Sequence, residues 1–177
     1  MSRYEKYQNL ELIKKRGTAY RQQHGRICLE FRISNQISFC IGFVLDGGND
    51  MGAKPLNKNL GPDMTIVLIF GQEAYDRYPS LPEYNELKIQ LKKKTDNNKD
   101  GWIFYDNTVD QNRIRYNKWT PIQIRKPMFD VFCETSNADS QAETFFEIGK
   151  YLIDLFLEEQ SFWNLCDALN SQDNKAA

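Results

Sequence analysis

The sequence predicts an α+β fold: a mixed, mainly antiparallel sheet with an N-terminal helix, a middle helix and a long C-terminal helix packed on it. Three observations lead there. Residues 27–45 alternate apolar and polar side chains in two runs, Met64–Phe70 is apolar without alternation, and apolar residues beyond position 140 recur at spacings of three and four. A period of two marks a strand with one buried face. A short unbroken apolar run suits a strand covered on both faces, and a period near 3.6 marks an amphipathic helix.

Taken in order, Tyr7, Leu10, Ile13, Gly17 and Tyr20 fall within one arc of a helical wheel, so a helix is expected over 4–20. It should end near His24-Gly25, because glycine commonly follows a helix end. Next, Ile27, Leu29, Phe31 and Ile33 alternate with polar residues, and after Ser34-Asn35-Gln36 the pattern resumes at Ile37, Phe39, Ile41 and Phe43. This is an antiparallel hairpin. Setting Ile33 against Ile37 places Phe31 opposite Phe39, Leu29 opposite Ile41 and Ile27 opposite Phe43. Each such pair contributes about 0.2–1 kcal/mol over Ala–Ala, and a one-residue slip would turn all of them to the wrong face. In that register Cys28 and Cys40 are diagonal neighbours, expected as two half-buried thiols rather than a disulfide.

Residues 46–63 are dense in Gly, Pro, Asn and Asp and read as a long loop. Its Gly47-Gly48 pair lacks the spacing of a nucleotide-binding loop. Met64–Phe70 follows as a central strand, and a short helical turn is expected over Gln72–Tyr78. Pro82 suits the first turn of a helix running to about Lys94, with Leu81, Tyr84, Leu87 and Leu91 on one stripe. Strands are expected at Trp102–Tyr105 and at Arg113–Trp119, the latter continuing through Ile122–Ile124 with Pro121 confining it to an edge or a bend. Pro127–Cys133 is expected as a further strand. Ser140-Gln-Ala-Glu143 has the capping-box pattern. Phe145, Ile148, Leu152 and Leu155, flanked by Phe146, Ile153 and Phe156, form a stripe wide enough for a well-buried helix, which resumes at Phe162, Leu165, Cys166 and Leu169 after a bend near Gln160-Ser161. No linker divides the chain, so residues 1–170 are expected as one domain, with 171–177 a disordered tail.

The charge balance excludes extremes. With 23 Lys+Arg and 24 Asp+Glu the formal charge is −1, unlike a strongly basic nucleic-acid binder or an acidic DNA mimic. No apolar run approaches 18 residues, and the amino terminus lacks the apolar stretch of a secretory signal, so a cytoplasmic protein without membrane contact is expected. Four widely spaced cysteines and a single histidine make no structural zinc set.

Four constellations could carry chemistry. Asp96-Asn97-Asn98-Lys99-Asp100-Gly101-Trp102-Ile103 resembles the first eight positions of the EF-hand calcium loop. That resemblance implies Asp96, Asn98 and Asp100 as oxygen ligands to Ca²⁺, although position 12 is Asn107 where the family has Glu. Pro62-Asp63 followed by Glu86-Leu87-Lys88 is similar in spelling to the PD-(D/E)xK nucleases, which implies Mg²⁺ held by Asp63 and Glu86, yet Glu86 and Lys88 lie in a stretch with helical spacing. Arg113, Arg115 and Trp119 project from one side of an expected strand, with Arg125 and Lys126 following. Cations beside an exposed aromatic suit phosphate or base contacts, and equally suit a charge-protected edge strand. Finally, Cys28 and Cys40 lack a His/Asp partner set for nucleophilic catalysis.

No catalytic set is complete, and no cofactor is required. The expected function is therefore a non-enzymatic binding module, such as a microbial or phage accessory or inhibitor protein. It would act by protein–protein contact ahead of nucleic-acid contact, through the 47–62 loop and through Arg113, Arg115, Trp119, Arg125 and Lys126. The alternative is a divalent-metal-dependent, nuclease-like domain of a prokaryotic defence system.

Overall fold

A computed structural model of the chain describes residues 7, 10–16, 26–44, 62–106, 108 and 120–171. Six strands build one sheet: β1 (Glu11–Arg16), β2 (Arg26–Arg32), β3 (Ile37–Val44), β4 (Asp63–Phe70), β5 (Ile103–Asp106) and β6 (Ile122–Pro127). Their spatial order is β1-β2-β3-β4-β6-β5, and every neighbouring pair is antiparallel, so the described sheet is antiparallel throughout rather than mixed. Four α-helices accompany it among the described residues: α1 (Pro82–Asn97), α2 (Met128–Phe132), α3 (Ala138–Leu157) and α4 (Gln160–Asn170). Among the described residues no helix is long and apolar enough to cross a membrane.

The hairpin register is the one its alternation predicts, with Phe31 opposite Phe39, Leu29 opposite Ile41 and Ile27 opposite Phe43. β4 lies at the centre, buried along nearly its whole length, as an unbroken apolar run requires. On one face of the sheet, Phe39 and Ile41 of β3, Met64, Ile66 and Leu68 of β4, and Ile122 and Ile124 of β6 join a single core with the helices. The helices supply Leu87 and Leu91 of α1, Leu152 and Phe156 of α3, and Phe162 and Leu165 of α4. Phe39 anchors this core, its ring 4.9 Å from that of Phe156 and 5.5 Å from that of Phe162. Fully burying one such side chain contributes about 1.5–3 kcal/mol.

Several elements depart from the sequence expectation. Residues 11–16, within the span expected as an N-terminal helix, form β1 and pair with β2 from Glu11↔Arg32 to Arg16↔Cys28, with an irregularity between Leu12 and Lys14. Without that partner β2 would present a row of unpaired backbone groups, and satisfying them outweighs a helical propensity of a few tenths of a kcal/mol per residue. β6 is an interior strand rather than an edge, because Pro121 precedes its first residue and removes no ladder hydrogen bond. Residues 128–132 form helix α2 instead of a strand, and the Met128 N–H donates to the Pro62 carbonyl at 2.7 Å. A five-residue segment with apolar residues on both sides of Asp130 fits either period. The capping box of α3 lies three residues earlier than expected: the Asn137 side chain accepts from the Ser140 N–H at 2.9 Å, while the Ser140 hydroxyl accepts from the Asn137 N–H. The break between α3 and α4 falls at Glu158-Glu159, just before the expected bend.

Candidate functional site

Helix α3 opens with polar and small residues, Ala138–Thr144, and carries its large apolar side chains from Phe145 onward, not all of them buried. Its carboxyl half contributes Leu152, Ile153, Leu155, Phe156 and Leu157 to the core, whereas Phe146 in its amino half is 68% exposed. The sheet beneath explains the change. The amino half lies over Phe43, near the end of β3, whose ring is 5.5 Å from Phe145 and 6.1 Å from Phe132 of α2. Between α2 and α3, Phe43, Met128, Phe132, Gln141, Ala142 and Phe145 line an open groove of about 350 Å³. Phe129, 62% exposed, lies one helical turn from Phe132, and Phe146 lies one turn from Ala142, so two exposed aromatic side chains extend the groove walls. A five-residue helix cannot bury Met128, Phe129, Val131 and Phe132 together, because they point around most of its circumference.

Carboxylates outnumber cations around the groove, whose nearest lysines in sequence are Lys126, two residues before Met128, and Lys150, one turn beyond Phe146. Residues 128–149 contain Asp130, Glu134, Asp139, Glu143 and Glu147 and no Lys, Arg or His, a formal charge of −5. The rest of the chain then carries −1 − (−5) = +4. All five carboxylates are exposed, and each lies within two residues of a groove residue or of Phe129 or Phe146.

The opposite face of the sheet differs in kind. Cys28, Glu30, Ser38, Cys40, Asp63, Thr65, Val67, Gln123 and Arg125 are all buried there. Arg125 on β6 pairs in register with Thr65, and its Nη2 reaches the diagonal Asp63 carboxylate at 3.1 Å. Its guanidinium also stands 5.4 Å from the Tyr105 ring centroid. Burial pushes the Arg125 guanidinium below its ordinary range, and the charges of Asp63 and Tyr105 push it back. The Ser38 hydroxyl donates to Glu30 at 3.0 Å, and the sulfurs of Cys28 and Cys40 are 3.1 Å apart as free thiols. Neither amide atom of Gln123 has a hydrogen-bond partner among the described residues.

The residues singled out in the sequence scatter. Arg113, Arg115 and Trp119 lie outside the described residues, as do positions 46–61 of the loop. Arg125, read as part of a surface basic patch, is instead 2% exposed and neutralised by Asp63, so it is withdrawn from surface contact. Lys126 is half-buried with its ammonium 6.0 Å from the ring of Trp102, which is itself buried. Asp96 sits in the last turn of α1. The Asn98 side-chain Oδ1 accepts from the Asp100 N–H at 3.0 Å and its side-chain Nδ2 donates to the Tyr151 hydroxyl, while Gly101 takes the left-handed conformation, φ 77°, that the turn into β5 needs. Glu86 and Lys88 ride on α1, on the helical side, and Lys88 pairs with Asp106 at 3.1 Å. Asp63 faces the other side, so the sheet separates it from both. Among the described residues no three His, Cys, Asp or Glu side chains are grouped to hold a metal ion.

The groove itself was not anticipated. Two signals for it are visible in the sequence: an apolar stripe on residues 145–156 wider than one sheet face needs, and a 22-residue stretch without a cation. Comparison with protein-family models, with curated proteins and with solved structures gives no match. Fold and groove alone define the class: an α+β domain whose antiparallel sheet carries helices on one face and presents an acid-rimmed aromatic groove between two of them.

Proposed function

We propose that the protein is a non-enzymatic binding module that acts by protein–protein contact through the α2–α3 groove. The observation that carries this reading is the pair of exposed phenylalanines, Phe129 and Phe146, each one helical turn from a residue lining an apolar groove with Phe43. Contiguous exposed aromatic surface with a polar rim is costly to leave in water and characteristic of interaction sites. Arg113, Arg115 and Trp119 remain candidates for a second contact. A reducing cytoplasm suits the protein, since Cys28 and Cys40 lie close together as thiols.

The test is affinity purification from the native host with wild-type protein and with the Phe129→Ser/Phe146→Ser double variant. Proteins recovered with the wild type should be depleted at least tenfold with the variant, whose melting temperature should stay near that of the wild type. Equal recovery would overturn the groove as the contact surface.

A further inference from the structure

We infer that the occupant of the groove is a basic amphipathic helix of a protein partner; this rests on the binding-module reading and adds the chemistry of the partner. Charge is the first support. The five carboxylates of residues 128–149 are not balanced by any cation within that stretch, and four of them stand on the two helical walls, Asp130 on α2 and Asp139, Glu143 and Glu147 on α3, with Glu134 in the turn between. A partner that covered Phe129 and Phe146 without bringing cations would hold these carboxylates at the border of a low-dielectric contact, where unpaired charge is costly. Lys and Arg answer both demands, because their methylene stems cover apolar surface while the charged heads reach the rim, and a guanidinium can also stack on a phenylalanine face.

Shape is the second support. A groove of about 350 Å³ is near the lower limit of small-molecule pockets, so it suits a few side-chain anchors rather than a whole ligand. Its walls are helices and its floor is a ring, the setting in which a third helix lays anchors spaced at three and four residues. Polyanions such as nucleic acid are disfavoured by the same −5 charge that recruits cations.

Fluorescence anisotropy on the full chain tests this with three labelled peptides: a Leu/Lys amphipathic helix, a Leu/Glu helix with the same apolar positions, and a scrambled Leu/Lys sequence lacking an apolar face. The Leu/Lys helix should bind at one saturable site, at least about tenfold more tightly than either control. Phe129→Ser/Phe146→Ser and, separately, Glu143→Lys/Glu147→Lys should each weaken it about tenfold, and added salt should weaken it further. Equal binding of the Leu/Glu helix or of the scrambled peptide would overturn the inference. So would sedimentation showing that the groove is closed by a second copy, as a dimer that Phe129→Ser/Phe146→Ser dissociates. If no peptide binds but the phenylalanine variant still loses its natural partners, the basic-helix inference falls and the binding module stands; if those partners too are retained, both fall.

Discussion

The large apolar side chains of helix α3 meet opposite fates: Phe145 and Phe146 are the two in its amino half, Ala138–Glu147, and the rest lie in Ile148–Leu157. From Leu152 to Leu157 the stripe is buried against β3, β4 and α4, with Phe156 packed on both Phe39 and Phe162. In the amino half, Phe145 packs on Phe43 beside the short helix α2, and Phe146 remains largely in solvent. The difference teaches that a hydrophobic stripe records what a helix can bury, whereas the extent of the sheet beneath decides how much of it is buried within the fold. What is left over is available to a partner.

Four substitutions or conditions can break or sharpen that contrast, in descending size of effect. Phe156→Ala should cost about 3–5 kcal/mol in urea unfolding, since it opens a cavity between β3 and α4. A loss below about 1 kcal/mol would mean that the carboxyl half is no better packed than the amino half. Alkaline pH should then act on the buried half through Cys166, whose thiol burial pushes up to about 12 from its ordinary value of 9.0. The raised value favours the folded state while the thiol is protonated in both states. That advantage is lost as pH rises above about 9, where only the unfolded thiol ionises, so on the order of 1 kcal/mol should disappear by pH 10. The urea midpoint should fall less between pH 8 and pH 10 in Cys166→Val than in the wild type.

Gly149 marks the junction between the halves, and a methyl group there would meet Ile41 Cγ2 at 3.8 Å, an ordinary contact. Gly149→Ala should therefore stabilise the fold by about 0.5–1 kcal/mol through helix propensity alone. A destabilised variant would show that the helix needs to approach the sheet more closely at this point. The smallest effect is expected at Phe146, where replacement by Ser should change stability by no more than about 0.5 kcal/mol. Calorimetry of Phe146→Ser beside Phe156→Ala measures the contrast directly.

Much of the fold was legible because it rests on local periodicity reinforced by pairing. The hairpin register follows from four apolar pairs that no other alignment preserves, and β4 from an unbroken apolar run of strand length rich in Ile and Val. What could not be read depends on neighbours distant in sequence. Residues 11–16 become a strand because β2 offers an edge, and 128–132 become a helix although their pattern fits either state. Arg125 looked like surface charge because its partner, Asp63, lies 62 positions earlier in the chain and becomes diagonal to it only once β4 and β6 are in register. The acidic border of the groove was countable in the sequence, but the groove was not, since it exists only where α2 and α3 meet over Phe43.

Hydrogen exchange on the full chain, with and without the Leu/Lys amphipathic helix, tests the central claim most directly. Protection should appear in α2 and in the amino half of α3, residues 128–148, and leave the core segments 152–169 unchanged. Protection confined to other parts of the molecule, or none at saturating peptide, would contradict the assignment of this groove as the docking surface.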